Sequence, residues 1–246
     1  NKVITTVILP KKNSHHFCVE LDKFNITYKL FNITRLSKQP TMVLRYLFFS
    51  IIEIVKLTRY FKRKKFDLIH VSGGSWQFKG VIAGKLAGIK VIWHLNDTFA
   101  PKAIRMFFYF FSRFSDGFIY ASIRSKEYYD SITHKKIPSF IIPAPVDTNK
   151  YNPYHEFINN DPLVKSWEGK TVIGMVANIS PVKSIETFIR ASEIINNECD
   201  NIVFVVIGAQ YKSQKKYLTI LEKMMTKLSI SNIDFIGSVS DVRSFL

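Results

Sequence analysis

Apolar residues recur along this chain in two alternating rhythms. Short β-branched runs are followed by longer stretches whose apolar positions repeat every three or four residues. The runs predict strands at Val3–Leu9, Thr27–Phe31, Asp67–Val71, Lys90–Leu95, Gly117–Ala121, Phe140–Pro143, Thr171–Ala177, Ile202–Gly208 and Asp234–Gly237. The periodic stretches predict helices at Thr41–Lys64, Gln77–Ala87, Pro101–Phe114, Ser125–Ile132, Val182–Asn196 and Lys212–Leu228, with another starting at Asp241. Near-continuous apolar strands alternating with helices imply parallel sheets covered by helices, so the expected fold class is α/β. No repeat at solenoid periods is visible.

The rhythm fails between Pro143 and Lys170, where Pro143, Pro145, Pro153 and Pro162 stand among Asn and Asp. Two domains are expected, 1–155 and 156–246. Charge divides at the same place. The chain has a net charge of +16. Residues 1–155 hold 25 Lys and Arg against 9 Asp and Glu, and residues 156–246 hold 10 of each, so the whole excess lies in the first part. A compositional bias would act on both parts, so the asymmetry favours an anionic partner.

At 246 residues, 47% hydrophobic and 22% charged, the chain has material for a sizeable core and is not a disordered composition. Cys18 and Cys199 lie far apart and form no disulfide framework or metal spacing, so a reducing compartment is expected. The chain opens on Asn1 without a signal-peptide pattern and stops at Leu246 in what reads as the first turn of a helix, as a fragment would. The most apolar region, Met42–Phe61, carries Arg45, Glu53, Lys56 and Arg59. Its longest charge-free run, Tyr46–Ile52, is too short to span a bilayer. A helix packed on a sheet is the leading reading, and a monotopic membrane contact is the alternative.

Several short segments carry candidate chemistry. Trp93-His94-Leu95-Asn96-Asp97-Thr98 closes a buried strand, and functional groups of parallel sheets gather at that end. His94, Asn96 and Asp97 are candidates for hydrogen-bonding a ligand at that edge. The alternative is a hydrogen-bonded core histidine, with Asp97 or Thr98 capping the next helix. Ser72-Gly73-Gly74-Ser75 allows close backbone approach to a ligand, or is a plain strand–helix turn. His15 and His16 have no third metal ligand nearby and read as a solvated loop. Along 103–115, Lys102, Arg105, Tyr109, Ser112, Arg113 and Asp116 are expected on one helix face, and Met106, Phe107, Phe108, Phe110, Phe111 and Phe114 on the other. This helix either packs on the sheet or meets a membrane interface. In the second domain, the strand ending at Ala177 leads through Pro181 into a helix burying Ile185, Phe188, Ile189 and Ile195. The free N–H groups at such a helix start favour an anion, and Lys183 can reach phosphate there. Local physics alone favours the plainer alternative, an ordinary turn with an exposed lysine.

The segment Val172 to Ala191 resembles the start of the second domain in glycosyltransferase family 4, the retaining enzymes of GT-B fold. Ala177-Asn178-Ile179, Ser180-Pro181, Lys183-Ser184 and Ala191 fall in register with the family pattern, with Asn178 at an arginine position. Phe66-Asp67-Leu68-Ile69-His70, Leu86 to Ile92, Phe114 to Ser122, Ile141 to Pro153, Phe204 to Gly208 and Phe235-Ile236-Gly237 follow the family order. The resemblance covers residues 66–246. The family's Gly-rich loop would precede residue 1 and its Glu-x7-Glu motif would follow residue 246.

The resemblance implies two Rossmann-like parallel-sheet domains, both incomplete, facing each other across a cleft. It implies sugar transfer from a nucleotide diphosphate-sugar to a hydroxyl acceptor, with retention and without a metal or other cofactor. Asn178, Ser180 and Lys183 would grip the donor, and Gly208 and Gly237 would border its base. His94, Asn96 and Asp97 would be catalytic, with Gly73 and Gly74 on the acceptor side. A glycan or lipid-linked glycan is the expected acceptor, in surface polysaccharide synthesis. The expected location is cytoplasmic, with an anionic membrane surface as a further partner and no nucleic acid. The fragment alone is expected to be inactive. The competing class is a non-catalytic basic module for anionic lipid or nucleic acid. No nucleic-acid fold motif or exposed aromatic strand platform supports the nucleic-acid form.

Overall fold

The computed structural model describes residues 3–34, 40–133, 137–152 and 162–245. They form two compact units, Asn1–Pro145 and Val146–Leu246. The boundary expected at 155/156 lies outside the described residues.

Unit 1 runs β1 (Thr6–Pro10), α1 (His15–Lys23), β2 (Thr27–Phe31), α2 (Pro40–Lys64), β3 (Leu68–Ser72), α3 (Phe78–Leu86), β4 (Lys90–Leu95), α4 (Lys102–Phe111), β5 (Gly117–Tyr120), α5 (Ile123–Asp130) and β6 (Ser139–Ile141). Strands β1 and β2 form a parallel pair, and β3-β4-β5-β6 form a parallel sheet. In register, Val71 lies beside Trp93 and Ser72 beside His94. One face of the larger sheet is buried, with Ile69, Val71, Val91, Trp93 and Leu95 packed against Leu57, Phe61, Val81 and Phe108 from the helices. Ile8 and Phe31 of the smaller sheet join that core.

Three details of unit 1 depart from expectation. First, His15 and His16 are not in a loop but open α1, behind Ser14, whose hydroxyl donates to the Pro10 carbonyl at 2.6 Å. The helix has nine residues and buries none of them, so it left no sustained apolar period to read. Second, the sheet is not covered on both sides by described residues: Leu68 and Phe140 remain exposed opposite the helical layer. Third, the two faces expected for α4 do not separate cleanly. Ser112 is buried just beyond its end, and Met106 and Phe110 are exposed. Six apolar positions in three turns make an arc wider than one packing contact; Phe108, Phe111 and Phe114 take the inner line, and Phe107 stacks on Phe78.

The orientation of α2 is set by a buried ion pair. Glu53 and Lys79 meet at 2.5 Å, both nearly inaccessible. Lys79 also donates to the Thr34 hydroxyl at 2.9 Å and lies over the Tyr46 ring. Glu53 accepts the Thr34 backbone N–H at 2.8 Å. Burial pulls the Lys79 pKa below its ordinary value, and the Glu53 carboxylate works against that shift.

Unit 2 contains α6 (Pro162–Lys165), β7 (Thr171–Val176), α7 (Ile185–Asn196), β8 (Ile202–Ile207), α8 (Lys215–Lys227) and β9 (Ile233–Gly237). Its sheet has the parallel order β7-β8-β9. As the central strand, β8 is buried on both faces. Phe204 and Val206 pack against α7 and α8, while Val203, Val205 and Ile207 pack with Trp167 on the other side. The helix expected from Val182 begins at Ile185, after a 3-10 turn over Pro181–Lys183. Ser184 divides the two, because it adopts left-handed φ of 50° and ψ of 47°.

Candidate functional site

The candidate residues of unit 2 gather where β7, β8 and β9 end. The Ala177 N–H donates to Ile207, the Ile179 N–H to Ala209, and the Gly208 N–H to Gly237. The Asn178 carboxamide oxygen accepts the Ala209 N–H at 3.2 Å, so this side chain ties two strand ends together. Gly208 is required sterically: a Cβ there would collide with the Ala177 carbonyl. Gly237 holds φ at +81°, a conformation that glycine adopts without strain. Ser180 starts the 3-10 turn, and Lys183 ends it with an exposed side chain. Beyond Ser184, the first turn of α7 offers backbone N–H groups with no intrahelical acceptor and the positive end of the helix dipole. Glu186 in that turn is taken up by the Tyr217 hydroxyl at 2.6 Å; burial, and then this bond, lift the Tyr217 pKa to about 12. A cavity of about 390 Å³ opens beside this edge, bordered by Ile179, Gln210 and Gly237 and by Leu218, Glu222 and Met225 of α8.

The candidate residues of unit 1 sit at the corresponding edge of its larger sheet. Gly73 and Gly74 both hold φ at +123°. The Trp93 indole donates to the Gly74 carbonyl at 3.1 Å, and the Tyr46 hydroxyl donates to the Trp76 carbonyl at 2.8 Å. The loop is therefore pinned from two sides through its carbonyls. A Cβ on Gly74 would lie 2.7 Å from the Trp76 ring and 3.1 Å from the Asp97 carboxylate. Asp97 does not cap the next helix; Pro101 stands at that position, and the Tyr129 hydroxyl donates to Asp97 Oδ1 instead. Asp97 Oδ2 is buried without a hydrogen-bond partner among the described residues. Burial raises the Asp97 pKa, and the Tyr129 bond offsets part of the rise.

His94 is not a core histidine. It stands on the exposed face of β4, stacked on His70 of β3, with Nδ1 3.2 Å from His70 Nε2. Desolvation lowers both pKa values, and in His94 the neighbouring His70 adds to the effect. Both effects favour the uncharged imidazole. Asn96 is exposed at the end of the same strand. Sequence reasoning missed Tyr129 and His70 as members of this group. Tyr129 lies 32 residues from Asp97, and only its place in a short helix marked it. His70 sits in a recognisable strand, but its partner depends on the strand order.

Among the described residues, no three His, Cys, Asp or Glu side chains gather to hold a metal ion. No helix among them is long and apolar enough to cross a membrane.

Residues 6–150 match the family model described as Glycosyltransferase Family 4, and residues 159–246 match that for Glycosyl transferases group 1. No curated protein matches the sequence. Among solved structures, the chain is similar to Anabaena HepE in complex with UDP and glucose, with a TM-score of 0.75 and 17% identity over 97% of this chain and 63% of that one. A glycosyltransferase from Rickettsia africae aligns with a TM-score of 0.69 and 14% identity over 100% of this chain and 70% of that one. An α,α-trehalose-phosphate synthase (UDP-forming) from Burkholderia vietnamiensis aligns with a TM-score of 0.61 and 12% identity over 86% of this chain and 55% of that one. At these identities the likeness concerns the fold, which is α/β with Rossmann-like units of the GT-B type. The chain spans about three-fifths of the length of HepE.

Proposed function

We propose that this chain, which belongs to glycosyltransferase family 4, serves to move a sugar from a nucleotide diphosphate-sugar to a hydroxyl acceptor, with retention at the anomeric carbon. The observation that carries the reading is the meeting of Asn178, Ser180, Lys183, Gly208 and Gly237 at one sheet edge, beside the start of α7. In this reading the acceptor oxygen bonds the anomeric carbon and gives up its proton to the departing diphosphate oxygen. The bond from that carbon to the diphosphate oxygen breaks, and the diphosphate departs with the electron pair. Negative charge grows on the diphosphate as the bond breaks, and Lys183 with the α7 N–H groups offsets it. Asn178 holds the loop in place, and Gly208 and Gly237 let the nucleotide base approach the backbone. No metal or other cofactor is required for these roles.

On the acceptor side, His94 and exposed Asn96 offer hydrogen bonds to hydroxyl groups, and Asp97, held by Tyr129, lies close to Gly74 of the loop. The acceptor is a glycan or lipid-linked glycan in surface polysaccharide synthesis. A cytoplasmic place, peripheral on the inner face of the membrane, belongs to the same reading.

HepE has been seen with UDP and with UDP-glucose, so uridine diphosphate is the first ligand to test. Calorimetry should show UDP binding that weakens at least tenfold in Lys183→Ala, since a charge-assisted contact contributes about 1.5–3 kcal/mol. Asn178→Ala should weaken it too, because the bond that holds the loop to Ala209 is lost. Equal affinity in wild type and Lys183→Ala would refute the placement of the diphosphate. Release of nucleoside diphosphate from a panel of donors, in the protein that carries this chain, tests the transfer itself.

A further inference from the structure

Helix α2 is inside out over its first described turns. It buries Ser50 and Glu53, at 5% exposure each, and presents Phe48 at 74% and Ile51 at 72% to solvent. Leu47, Ile52 and Val55 are exposed beside them. This is no accident of a loose helix. The buried Glu53–Lys79 pair and the packed line of Tyr46, Leu57, Tyr60 and Phe61 hold α2 against the core. Turning the helix to hide Phe48 and Ile51 would expose that line and strand both charges. The apolar stripe is therefore presented outward by the same contacts that fold the unit.

The stripe also has a direction. Positions 48, 51, 52 and 55 continue at helical spacing into Arg59 and Lys62, so one outward line is apolar in its first half and basic in its second. From Phe48 to Lys62 it runs about 21 Å, at 1.5 Å per residue. Between Ile54 and Phe66 there is no Asp or Glu. Unit 1 as a whole holds 24 Lys and Arg against 8 Asp and Glu, whereas unit 2 holds 11 of each.

We propose that this outward face of α2 is a membrane-docking surface for bilayers containing anionic lipid. Leu47, Phe48, Ile51, Ile52 and Val55 enter the boundary between headgroups and acyl chains, and Arg59 and Lys62 rest on anionic headgroups. The occupant follows from the two halves together. A second copy of the chain would bring another strongly basic unit against a basic face. A nucleic acid would satisfy the cations but has no apolar layer for Phe48 and Ile51. An anionic bilayer supplies both, layered in the order in which the helix displays them. The inference deepens the membrane part of the reading above and does not rest on sugar transfer, because it is read by lipid binding alone.

The test is co-sedimentation of the chain with vesicles of phosphatidylcholine, alone or with phosphatidylglycerol added. Wild type should sediment with the anionic vesicles at about 0.1 M salt and less at about 1 M, where the Debye length falls from about 10 Å to about 3 Å. Arg59→Gln with Lys62→Gln should reduce partitioning about thirtyfold, from about 1 kcal/mol per basic residue near the surface. Phe48→Asp with Ile51→Asp should abolish it. All four positions are exposed, so circular dichroism and thermal melts should match wild type. Wild type left in the supernatant with anionic vesicles would overturn the proposal. So would full binding by the Phe48/Ile51 variant, which would reduce the effect to surface charge. A wild-type dimer in sedimentation equilibrium that the same variants dissolve would assign the face to a second copy.

Discussion

Asp97 shows how a single side chain is held between opposing effects. Burial favours its neutral form, while the Tyr129 hydroxyl favours the carboxylate, and burial prevails because Oδ2 has no partner among the described residues. Tyr129→Phe should remove the offset and raise the Asp97 pKa further. An acid whose folded pKa is raised stabilises the fold most below its unfolded pKa and loses that contribution as pH rises through the folded value. The variant should therefore be close to wild type below about pH 4 and lose about 1.5–3 kcal/mol at neutral pH. Urea denaturation at the two pH values checks this; a penalty independent of pH would mean that the hydroxyl acts on packing alone.

At the scale of elements, α2 and the turn after β7 show tertiary contacts overriding local preference. Burying Phe48 and Ile51 in place of Glu53 would gain about 1.5–3 kcal/mol for each side chain. It would also break a buried ion pair, at about 3–5 kcal/mol, and expose Tyr46, Leu57, Tyr60 and Phe61. The observed orientation wins by that margin. At the β7 turn, the close approach of Ala177 to Gly208 allows no side chain on the second strand end. Gly208→Ala should force the two strand ends apart and lower stability by about 3 kcal/mol, at the upper end for overpacking. Thermal unfolding measures the loss. UDP affinity should fall with it, since Asn178 and Ala209 are bonded across the same gap.

For the molecule as a whole, the division into two units is also a division of cores. Leu57, Val91, Trp93, Phe108 and Tyr120 build one; Ile185, Phe204, Leu221, Trp167 and Val205 build the two sides of the other. Cooperativity is carried by shared packing, so the units should unfold in separate steps in urea. Tryptophan fluorescence resolves them: Trp76 and Trp93 report on unit 1, and Trp167 on unit 2. With Trp167→Phe, fluorescence should follow unit 1 alone, while circular dichroism should still show both transitions. Coincident transitions in the two signals would mean that the units unfold as one.

What the sequence determined by itself is what depends on near neighbours along the chain. Strand periods place the nine strands found among the described residues, and β2 and β4 run over the residues expected, Thr27–Phe31 and Lys90–Leu95. The charge asymmetry and the ordered family segments are likewise local properties, which is why the fold class and the family were legible before any coordinates. The α1 helix escaped because its nine residues bury nothing. Only the tertiary structure decided which distant groups meet. The Tyr129 bond to Asp97 and the His70 stack on His94 depend on strand order and on how α5 lies on the sheet. The outward turn of Phe48 depends on Lys79, 31 residues away along the chain, because a buried charge must find its partner before an apolar side chain can find the core.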